Sequence, residues 1–407
     1  MYVTYWNPPK MRQITFEEIL MGVSNLNQMK LSGDETSTRT ICVKDVPRRL
    51  LNLTDVPAMI QQLKEFNMKW TELINEQDLG VHYRHFSIPK RDGGWRPIDA
   101  PDTTLSDALI ELRDLLKSFM IADYHTAAHA YIQNRSIITA VKAHVAGHPR
   151  TVVNQETGEV EVKAFPNNWK VSLDFHGFFP STTPDFVFGM LSTIYPFNLI
   201  MRYSEGGEQL RMALRLAFLR GGLPQGTPMS PWLTNVMMIP FDHLMSRKLS
   251  KLKMADGVTR QFTYTRYADD LHISCYLSFD PMEIQEIVIQ ALKFFNAPFC
   301  LNESKTRYGN RNSSENWMLG LMWNQNNEIT VGWRNMKTFK AMVTNYIGAK
   351  KDGKDWDLEE VQHFNGLISY YKMVNRNATM DVIKKYNAKF HVDVEAMIHD
   401  DLTPKSI

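Results

Sequence analysis

Two adjacent carboxylates at a predicted tight turn constrain this chain more than any other feature of its sequence. Residues 263–274 contain two short runs of β-forming residues on either side of Asp269 and Asp270. Neighbouring carboxylates repel one another and raise one another's pKa unless a cation neutralises them. An isolated Asp-Asp pair is most often a solvated hairpin tip, but Mg²⁺ is the usual partner of such a pair in sites that act on phosphates. Other segments of the chain have to distinguish these interpretations.

The composition excludes few classes of protein. A chain of 407 residues fits two or three packed subdomains that share a cleft. Hydrophobic residues at 43% and charged residues at 22% predict an ordinary soluble globular protein. Because the formal net charge is only +2, any affinity for nucleic acid must come from local clusters of cations.

The cysteines and the apolar runs bear on the cellular compartment. Cys42, Cys275 and Cys300 are odd in number and widely spaced, which argues against a disulfide framework and a structural zinc site. The first residues do not follow the pattern of a signal peptide, and no apolar run approaches the length of a membrane span. The sequence therefore predicts a cytoplasmic protein with no membrane partner.

A cationic hairpin is predicted at residues 85–101. Two apolar runs flank Asp92-Gly93-Gly94, and Lys90, Arg91 and Arg96 lie on the two arms. Arginine offers a bidentate fork and lysine a mobile charge, and both suit phosphate groups. Charges on an edge strand also prevent aggregation, so a solvated edge is the alternative.

A third carboxylate, Asp174, stands at the end of a predicted strand, and the aromatic residues Phe178 and Phe179 follow it. An aspartate at a strand end can bind a metal, and a ring nearby can lie against a sugar. For Asp174 alone, a turn or capping role is the simpler interpretation.

Residues 223–235 predict a glycine turn that leads into a helix, with Ser230 as its N-cap and Pro231 at its first position. Gly226 lets a substrate approach the backbone closely, and the helix N-terminus offers free N–H groups. Periodicity predicts further helices over residues 16–21, 56–66, 105–120, 210–220, 334–349, 358–374 and 384–398.

Together these segments resemble the reverse transcriptases, in particular the bacterial group of retron, group II intron and phage-defence enzymes. The motifs that carry the resemblance follow the family's order over residues 88–97, 173–181, 223–231, 265–270, 301–306 and 317–323. The turn itself reads Tyr267-Ala268-Asp269-Asp270, which is similar to the family's catalytic hairpin, and Thr265-Arg266 before it is typical of the retron-like branch.

The resemblance implies an α+β right-hand polymerase with fingers, a palm built on an antiparallel sheet with helices, and a helical thumb. The expected domains are a helical N-terminal extension over residues 1–80, fingers over 81–173 with an insertion near 146–168, a palm over 174–328 with part of the fingers between 190 and 225, and a thumb and tail over 329–407.

The resemblance also implies an RNA-directed DNA polymerase, a nucleotidyltransferase that extends a primer by two-metal phosphoryl transfer. The implied ligands of two Mg²⁺ ions are the side chains of Asp174, Asp269 and Asp270 and the backbone carbonyl of Phe175. Lys305 is the implied proton donor near the leaving pyrophosphate. The implied substrate contacts are Lys90, Arg91 and Arg96 on phosphates, Phe179 against C2′ of the sugar, Gln225 and Gly226 beside the nucleotide and template, and Tyr267 and Ala268 beneath the primer end.

The implied partners are an RNA template, a DNA or RNA primer and deoxynucleoside triphosphates. A retron-like or antiviral defence role adds a dedicated noncoding RNA and an effector protein as candidates. The sequence departs from mobile retron enzymes where residues 140–144 and 318–320 replace Asn-Ala-x-x-His and Val-Thr-Gly. Two alternatives stay open: template-independent or self-primed DNA synthesis on the same site, and a catalytically silent RNA-binding scaffold.

Overall fold

The computed structural model describes residues 55–90, 93–120, 124–153 and 160–403, together with the short paired strands β1 (Tyr2–Val3) and β2 (Ile14–Thr15). The predicted helix at residues 16–21 and the candidate residue Arg91 lie outside the described residues. The chain divides into two compact units. Unit 1 comprises residues 1–134, 171–273 and 279–307, and unit 2 comprises residues 135–170, 274–278 and 308–407.

The described residues form an α+β fold, as the sequence predicts. Its helices are α1 (Val56–Lys69), α2 (Thr71–Asn75), α3 (Thr103–Phe119), α4 (Ile137–Ala146), α5 (Phe178–Ser181), α6 (Pro184–Leu191), α7 (Phe197–Ile200), α8 (Ser204–Leu214), α9 (Ser230–Met237), α10 (Ile239–Ser250), α11 (Pro281–Phe294), α12 (Trp333–Lys351), α13 (Leu358–Val374), α14 (Arg376–Phe390) and α15 (Val394–Leu402). Its further strands are β3 (Tyr83–Pro89), β4 (Trp95–Pro101), β5 (His148–Val153), β6 (Val160–Phe165), β7 (Trp169–His176), β8 (Leu252–Lys253), β9 (Thr259–Arg260), β10 (Thr263–Tyr267), β11 (Asp270–Cys275), β12 (Cys300–Leu301), β13 (Arg307–Asn310), β14 (Trp317–Met318), β15 (Leu321–Trp323) and β16 (Ile329–Thr330).

The sheet of unit 1 places β11 between β10 and β7, and β12 follows beyond β7. The predicted strand, turn and strand around Asp269 are therefore confirmed as β10 and β11. Helix α10 packs against β10, so the first four residues of that strand are buried although two of them are threonines. Threonine and tyrosine suit such a position because β-branched and aromatic side chains fill a pleated surface well.

An aromatic cluster fixes the strand that bears Asp174 to its surroundings. The ring centroid of Phe175 lies 5.6 Å from that of Phe178 and 5.0 Å from that of Phe299. Phe241 of α10 meets Phe175 edge-on at 5.9 Å. Aromatic pairs at these separations add to the free energy gained from burying the rings. The packing of these rings therefore sets the position of β7, the strand that bears Asp174.

The predicted cationic hairpin is present as β3 and β4, which pair in a register that places Ile88 opposite Arg96. It is fixed to the glycine turn, because the backbone N–H of Asp99 donates to the carbonyl of Gln225 at 2.7 Å. Helix α3 follows directly, with Asp102 accepting a hydrogen bond from the N–H of Leu105 as its N-cap.

The predicted helix at residues 210–220 is wrong in its bounds. Helix α8 begins at Ser204 and ends at Leu214, and a single 3₁₀ turn follows it. Beyond that turn, Leu219 and Gly222 exchange two backbone hydrogen bonds of 2.9 and 3.0 Å. Arg220 has a φ of +52°, so the chain reverses where the apolar spacing had suggested another helical turn.

Unit 2 combines a small sheet, in the order β14, β15 and β16, with helices α4 and α12 to α15. Its core includes Trp323, Phe339, Tyr346 and Phe364, which are all fully buried. The helices predicted at residues 334–349 and 358–374 are confirmed as α12 and α13. The helix predicted at residues 384–398 is wrong, because His391 takes a left-handed conformation that ends α14 before α15 begins.

Among the described residues, every helix is too short or too polar to cross a lipid bilayer. Of the cysteines in the described part of the chain, Cys275 is buried and Cys300 is exposed, and neither forms a disulfide.

Candidate active site

The turn between β10 and β11 presents Asp269 and Asp270 at one end of the sheet. Ala268 adopts a left-handed conformation with a φ of +57°, which reverses the chain within the turn. The carbonyl of Asp269 accepts a hydrogen bond of 3.2 Å from the N–H of Phe175 on β7. The turn is therefore joined by backbone to the strand that carries the third carboxylate.

Asp174 lies within β7, two residues before the strand ends, and is buried. Its carbonyl accepts a hydrogen bond of 2.8 Å from the N–H of Asn302. The ammonium of Lys305 lies 3.1 and 3.2 Å from the two oxygens of the Asp174 carboxylate. The structure thus brings together Asp174 and Lys305, which are 131 residues apart in the sequence.

The backbone of Phe175 faces the turn and not β12. Asp174 hydrogen-bonds to Asn302 on the β12 side, whereas the N–H of the next residue, Phe175, is directed to Asp269. In an antiparallel ladder the N–H and the C=O of one residue point to the same side. The carbonyl of Phe175 therefore points toward the side of the strand on which Asp269 lies.

The three carboxylates form an electrostatically unfavourable group. Burial, followed by repulsion from Asp269 and Asp174, raises the pKa of Asp270 to about 7. Burial also raises the pKa of Asp269, and the charge of Asp174 adds to that effect. The pKa of Lys305 is raised as well: burial lowers it, but the hydrogen bond to Asp174 and the three negative charges outweigh burial. The single positive charge of Lys305 is not enough to neutralise the three carboxylates.

A cavity of about 750 Å³ opens over this group. Of the residues predicted from the sequence, it is lined by Lys90, Arg96, Asp174, Phe175, Phe179, Gln225, Asp269 and Lys305. Cations thus line the same cavity as two of the carboxylates, which is the arrangement that a polyphosphate beside metal ions requires.

A smaller cavity of about 310 Å³ shares Arg96, Phe179, Gln225 and Asp269 with the larger one. The remaining predicted residues, Gly226, Tyr267, Ala268 and Asp270, line this second cavity.

The helix α9 that borders the smaller cavity is capped differently from the prediction. The hydroxyl of Thr227 accepts a hydrogen bond of 3.2 Å from the N–H of Ser230, and Ser230 itself lies inside the helix. Ser230 was therefore wrong as the capping residue, because the turn at Gly226 brings the threonine three positions earlier into reach of the first free N–H group.

A buried polar network supports the turn from below, and sequence patterns did not reveal it. The guanidinium of Arg266 pairs with Asp242 of α10 and also donates to the carbonyl of Ala268 at 3.1 Å. The hydroxyl of Tyr264 donates to the same Asp242 at 2.7 Å. The only available signal was the charge of Arg266 inside a run of β-forming residues, where a charge must find a partner.

Within the described part of the chain, no three acidic, histidine or cysteine side chains are arranged as a ready-made metal cage. The chemistry of the donor set nevertheless fits Mg²⁺, because three carboxylates and a backbone carbonyl are hard oxygen ligands. Like charges held together with raised pKa values are also what a divalent cation would relieve.

The α+β fold, the carboxylate turn and the cation-lined cavity define the class of the right-hand nucleic-acid polymerases, as the sequence predicts. Residues 88–339 match the family described as reverse transcriptase (RNA-dependent DNA polymerase), and the chain belongs to that family.

Bacterial retron reverse transcriptases are similar in sequence. The retron Mx162 enzyme of Myxococcus xanthus is 32% identical over 250 residues, which cover 56% of this chain and 45% of that protein. The retron Ec83 enzyme of Escherichia coli is 24% identical over 314 residues, covering 75% of this chain and 87% of that protein. The chain thus spans less than half of the first relative. A telomerase structure from Candida albicans, in complex with a fragment of telomeric RNA, aligns with a TM-score of 0.41 at 14% identity, covering 84% of this chain and 62% of that one.

Proposed function

We propose that the protein is an RNA-directed DNA polymerase that adds deoxynucleotides to a primer annealed to RNA. The observation that carries the proposal is the single cavity in which Asp174 and Asp269 face Lys90 and Arg96. Family membership supports the same conclusion. Phosphoryl transfer needs little covalent chemistry from the protein, so positioning and charge neutralisation suffice.

Asp174, Asp269 and Asp270, with the carbonyl of Phe175, would hold two Mg²⁺ ions. When bound, these ions lower the pKa of the primer hydroxyl and neutralise charge on the triphosphate. β7 and the β10–β11 turn, joined by the backbone hydrogen bond from Phe175 to Asp269, bring these ligands to one end of the sheet. Lys305 would exchange its contact with Asp174 for one near the leaving pyrophosphate and donate a proton there.

The other residues of the cavity would orient the nucleotide. Lys90, directly after β3, and Arg96, on β4, would bind its phosphates from one side, with Arg91 a further candidate. The ring of Phe179 would lie against C2′ of the sugar, where a 2′-hydroxyl has no room. Gln225 would contact the sugar and the template.

The domain assignment belongs to the same proposal: fingers over residues 81–173, palm over 174–328 and thumb over 329–407, after the N-terminal extension. Relatives named as retron reverse transcriptases support a retron-like role. A cytoplasmic location and an antiviral defence role are further parts of the proposal. A dedicated noncoding RNA as template and an effector protein as partner are part of that role. Sequencing the nucleic acid that co-purifies with the protein tests it, because a single recurring RNA is expected and a random cellular mixture would contradict it.

Primer extension on an RNA template with Mg²⁺ tests the activity. The wild type is expected to incorporate deoxynucleotides, and the Asp269→Ala, Asp270→Ala double variant is not. Asp107→Ala, which changes an exposed aspartate of α3, is the matched control and should behave as wild type. Incorporation by the wild type no greater than by the double variant overturns the proposal. That result would favour the alternative of a catalytically silent RNA-binding scaffold. The presence of all three carboxylates argues against this alternative.

Omitting the RNA template tests the alternative of template-independent or self-primed DNA synthesis. Template-independent synthesis on the same site predicts product without RNA, whereas the proposal predicts none. Product whose sequence does not complement the added RNA would also favour the alternative.

A further inference from the structure

Tyr131 stands out in the smaller cavity because a bulky side chain occupies a backbone conformation that suits glycine. Its φ is +57°, in the left-handed region. The residue is 55% exposed, whereas Ala127, Ala128, His129 and Ala130 directly before it are all buried. Strained, exposed aromatic residues beside reacting groups persist where the surrounding structure holds them in place.

The segment that carries Tyr131 is fixed to the catalytic hairpin. The N–H of Arg266 donates to the carbonyl of Ala127 at 2.7 Å, and the N–H of His129 donates to the carbonyl of Arg266 at 2.8 Å. The side-chain amide of Asn235 donates to the carbonyl of Ala130 at 2.6 Å. The backbone on both sides of Ala128 is therefore joined to the strand that leads into Asp269, and Tyr131 is held at a set place relative to the carboxylates.

The lining of the two cavities indicates which part of a substrate would meet Tyr131. Lys90 and Lys305 line only the larger cavity, whereas Tyr131, Tyr267 and Ile98 line only the smaller one. A phosphate next to Tyr131 would face two carboxylates, Asp269 and Asp270, and only one cation, Arg96, among the residues that line the small cavity. A neutral, flat group is favoured there over an anion, and an exposed aromatic ring binds such a group by stacking.

We propose that Tyr131 is a substrate-positioning residue whose ring packs against a nucleobase at the primer terminus or at the templating position. This inference rests on the proposed function, because it takes the ligand of the site to be a template–primer duplex. The phenol oxygen is not required for the contact, since stacking uses only the face of the ring. The phosphates of the incoming deoxynucleotide would occupy the larger cavity. Its base would extend toward the smaller cavity, next to the base that Tyr131 contacts.

Three substitutions separate this role from a structural one. Tyr131→Phe keeps the ring, Tyr131→Ala removes the ring and keeps the strained backbone, and Tyr131→Gly removes the ring and relieves the strain. A structural role predicts that Tyr131→Gly is at least as active as wild type. For Tyr131→Gly, the proposal predicts a melting temperature equal to or above that of wild type. It also predicts that this variant has a KM for the deoxynucleotide or a Kd for the duplex that is raised about tenfold.

Photocrosslinking provides a readout that does not depend on catalysis. Wild type and variants are bound to an RNA–DNA duplex that carries 5-iodouracil at the primer terminus, at the templating position or well back in the duplex. The crosslinked peptide is then identified by mass spectrometry. A crosslink at Tyr131 from one of the first two positions, lost in Tyr131→Gly, is expected. Crosslinks that map elsewhere, or an unchanged KM and Kd in Tyr131→Gly, would overturn the inference.

The two proposals fail in different ways. A wild type that extends no primer but crosslinks through Tyr131 contradicts the polymerase activity and supports the base contact. A wild type that extends primers with no effect of the three substitutions supports the activity and contradicts the base contact.

Discussion

The guanidinium of Arg266 lies 2.7 Å from the carboxylate of Asp242, and neither side chain is exposed to solvent. The same guanidinium donates to the carbonyl of Ala268, immediately before Asp269. Burial alone would lower the pKa of Arg266, but the charge of Asp242 raises it, so the arginine stays charged. A buried ion pair therefore holds the arginine that binds the backbone of the turn bearing Asp269 and Asp270.

Breaking this pair is expected to destabilise the protein strongly. Asp242→Asn leaves a buried guanidinium without its counter-charge, which should lower the free energy of unfolding by about 3 to 5 kcal/mol. Urea denaturation measures this. Lys64→Met is the matched control, because Lys64 pairs at 2.6 Å with Glu205 on the surface, where a pair contributes about 1 kcal/mol or less. Equal losses in the two variants would show that the buried pair has no special role.

Gly226 is expected to tolerate no side chain. Its φ is +116°, and an added Cβ would lie 2.8 Å from the Ile98 side chain and 3.0 Å from the carbonyl of Asp99. Gly226→Ala should therefore lower the free energy of unfolding by about 2 kcal/mol or more and reduce nucleotide incorporation, because it pushes β4 away from Gln225. Gly257→Ala has a positive φ but open space around it, so it reports backbone strain alone, about 1 kcal/mol. Chemical denaturation that gives the same loss for both variants would rule out the steric contact as the cause.

Phe179 is expected to control the choice of sugar. It lines both cavities and is 9% exposed, so Phe179→Val opens space on the substrate side. Incorporation of ribonucleotides relative to deoxynucleotides should rise about tenfold or more, measured as a ratio of kcat/KM. Phe186→Leu is the control, since Phe186 packs into the core at 5.5 Å from Phe299, lines neither cavity and should change stability without changing this ratio. An unchanged ratio in Phe179→Val would contradict the assignment.

Lys170, in unit 2, is expected to make stability depend on pH. Burial lowers its pKa to about 8, although the charge of Glu315 acts in the opposite direction. Between pH 8 and 10.5 the unfolded chain binds more protons than the folded one, so the stability of the wild type rises with pH. Lys170→Met should be more stable than wild type at pH 7, by on the order of 3 kcal/mol, and this advantage should shrink toward pH 10.5. Melting curves across that range, with the exposed Lys142→Met as control, would contradict this if the difference stayed constant.

Sequence patterns predicted the elements whose signal is local. The hairpin at Asp269 and the helices α12 and α13 follow from the spacing of β-forming and apolar residues. The break at His391 was missed because it depends on a left-handed residue other than glycine or asparagine.

Contacts between distant residues could not be derived from spacing. Asp242 pairs with Arg266, which lies 24 residues later in the sequence. Asn302 and Lys305 contact Asp174 although they follow it by 128 and 131 residues. Tyr131 carried no signal at all, because its position beside the carboxylates is set by backbone hydrogen bonds to Arg266 that side-chain patterns do not encode.

The transfer of one deoxynucleotide to a primer on an RNA template, timed in Mg²⁺ for wild type and Asp174→Asn, tests the central claim most directly. The account predicts that wild type forms the product and that Asp174→Asn is slower by at least about a hundredfold, while both bind the duplex equally well. Equal rates for the two proteins, or no product from wild type bound to the duplex, would contradict it.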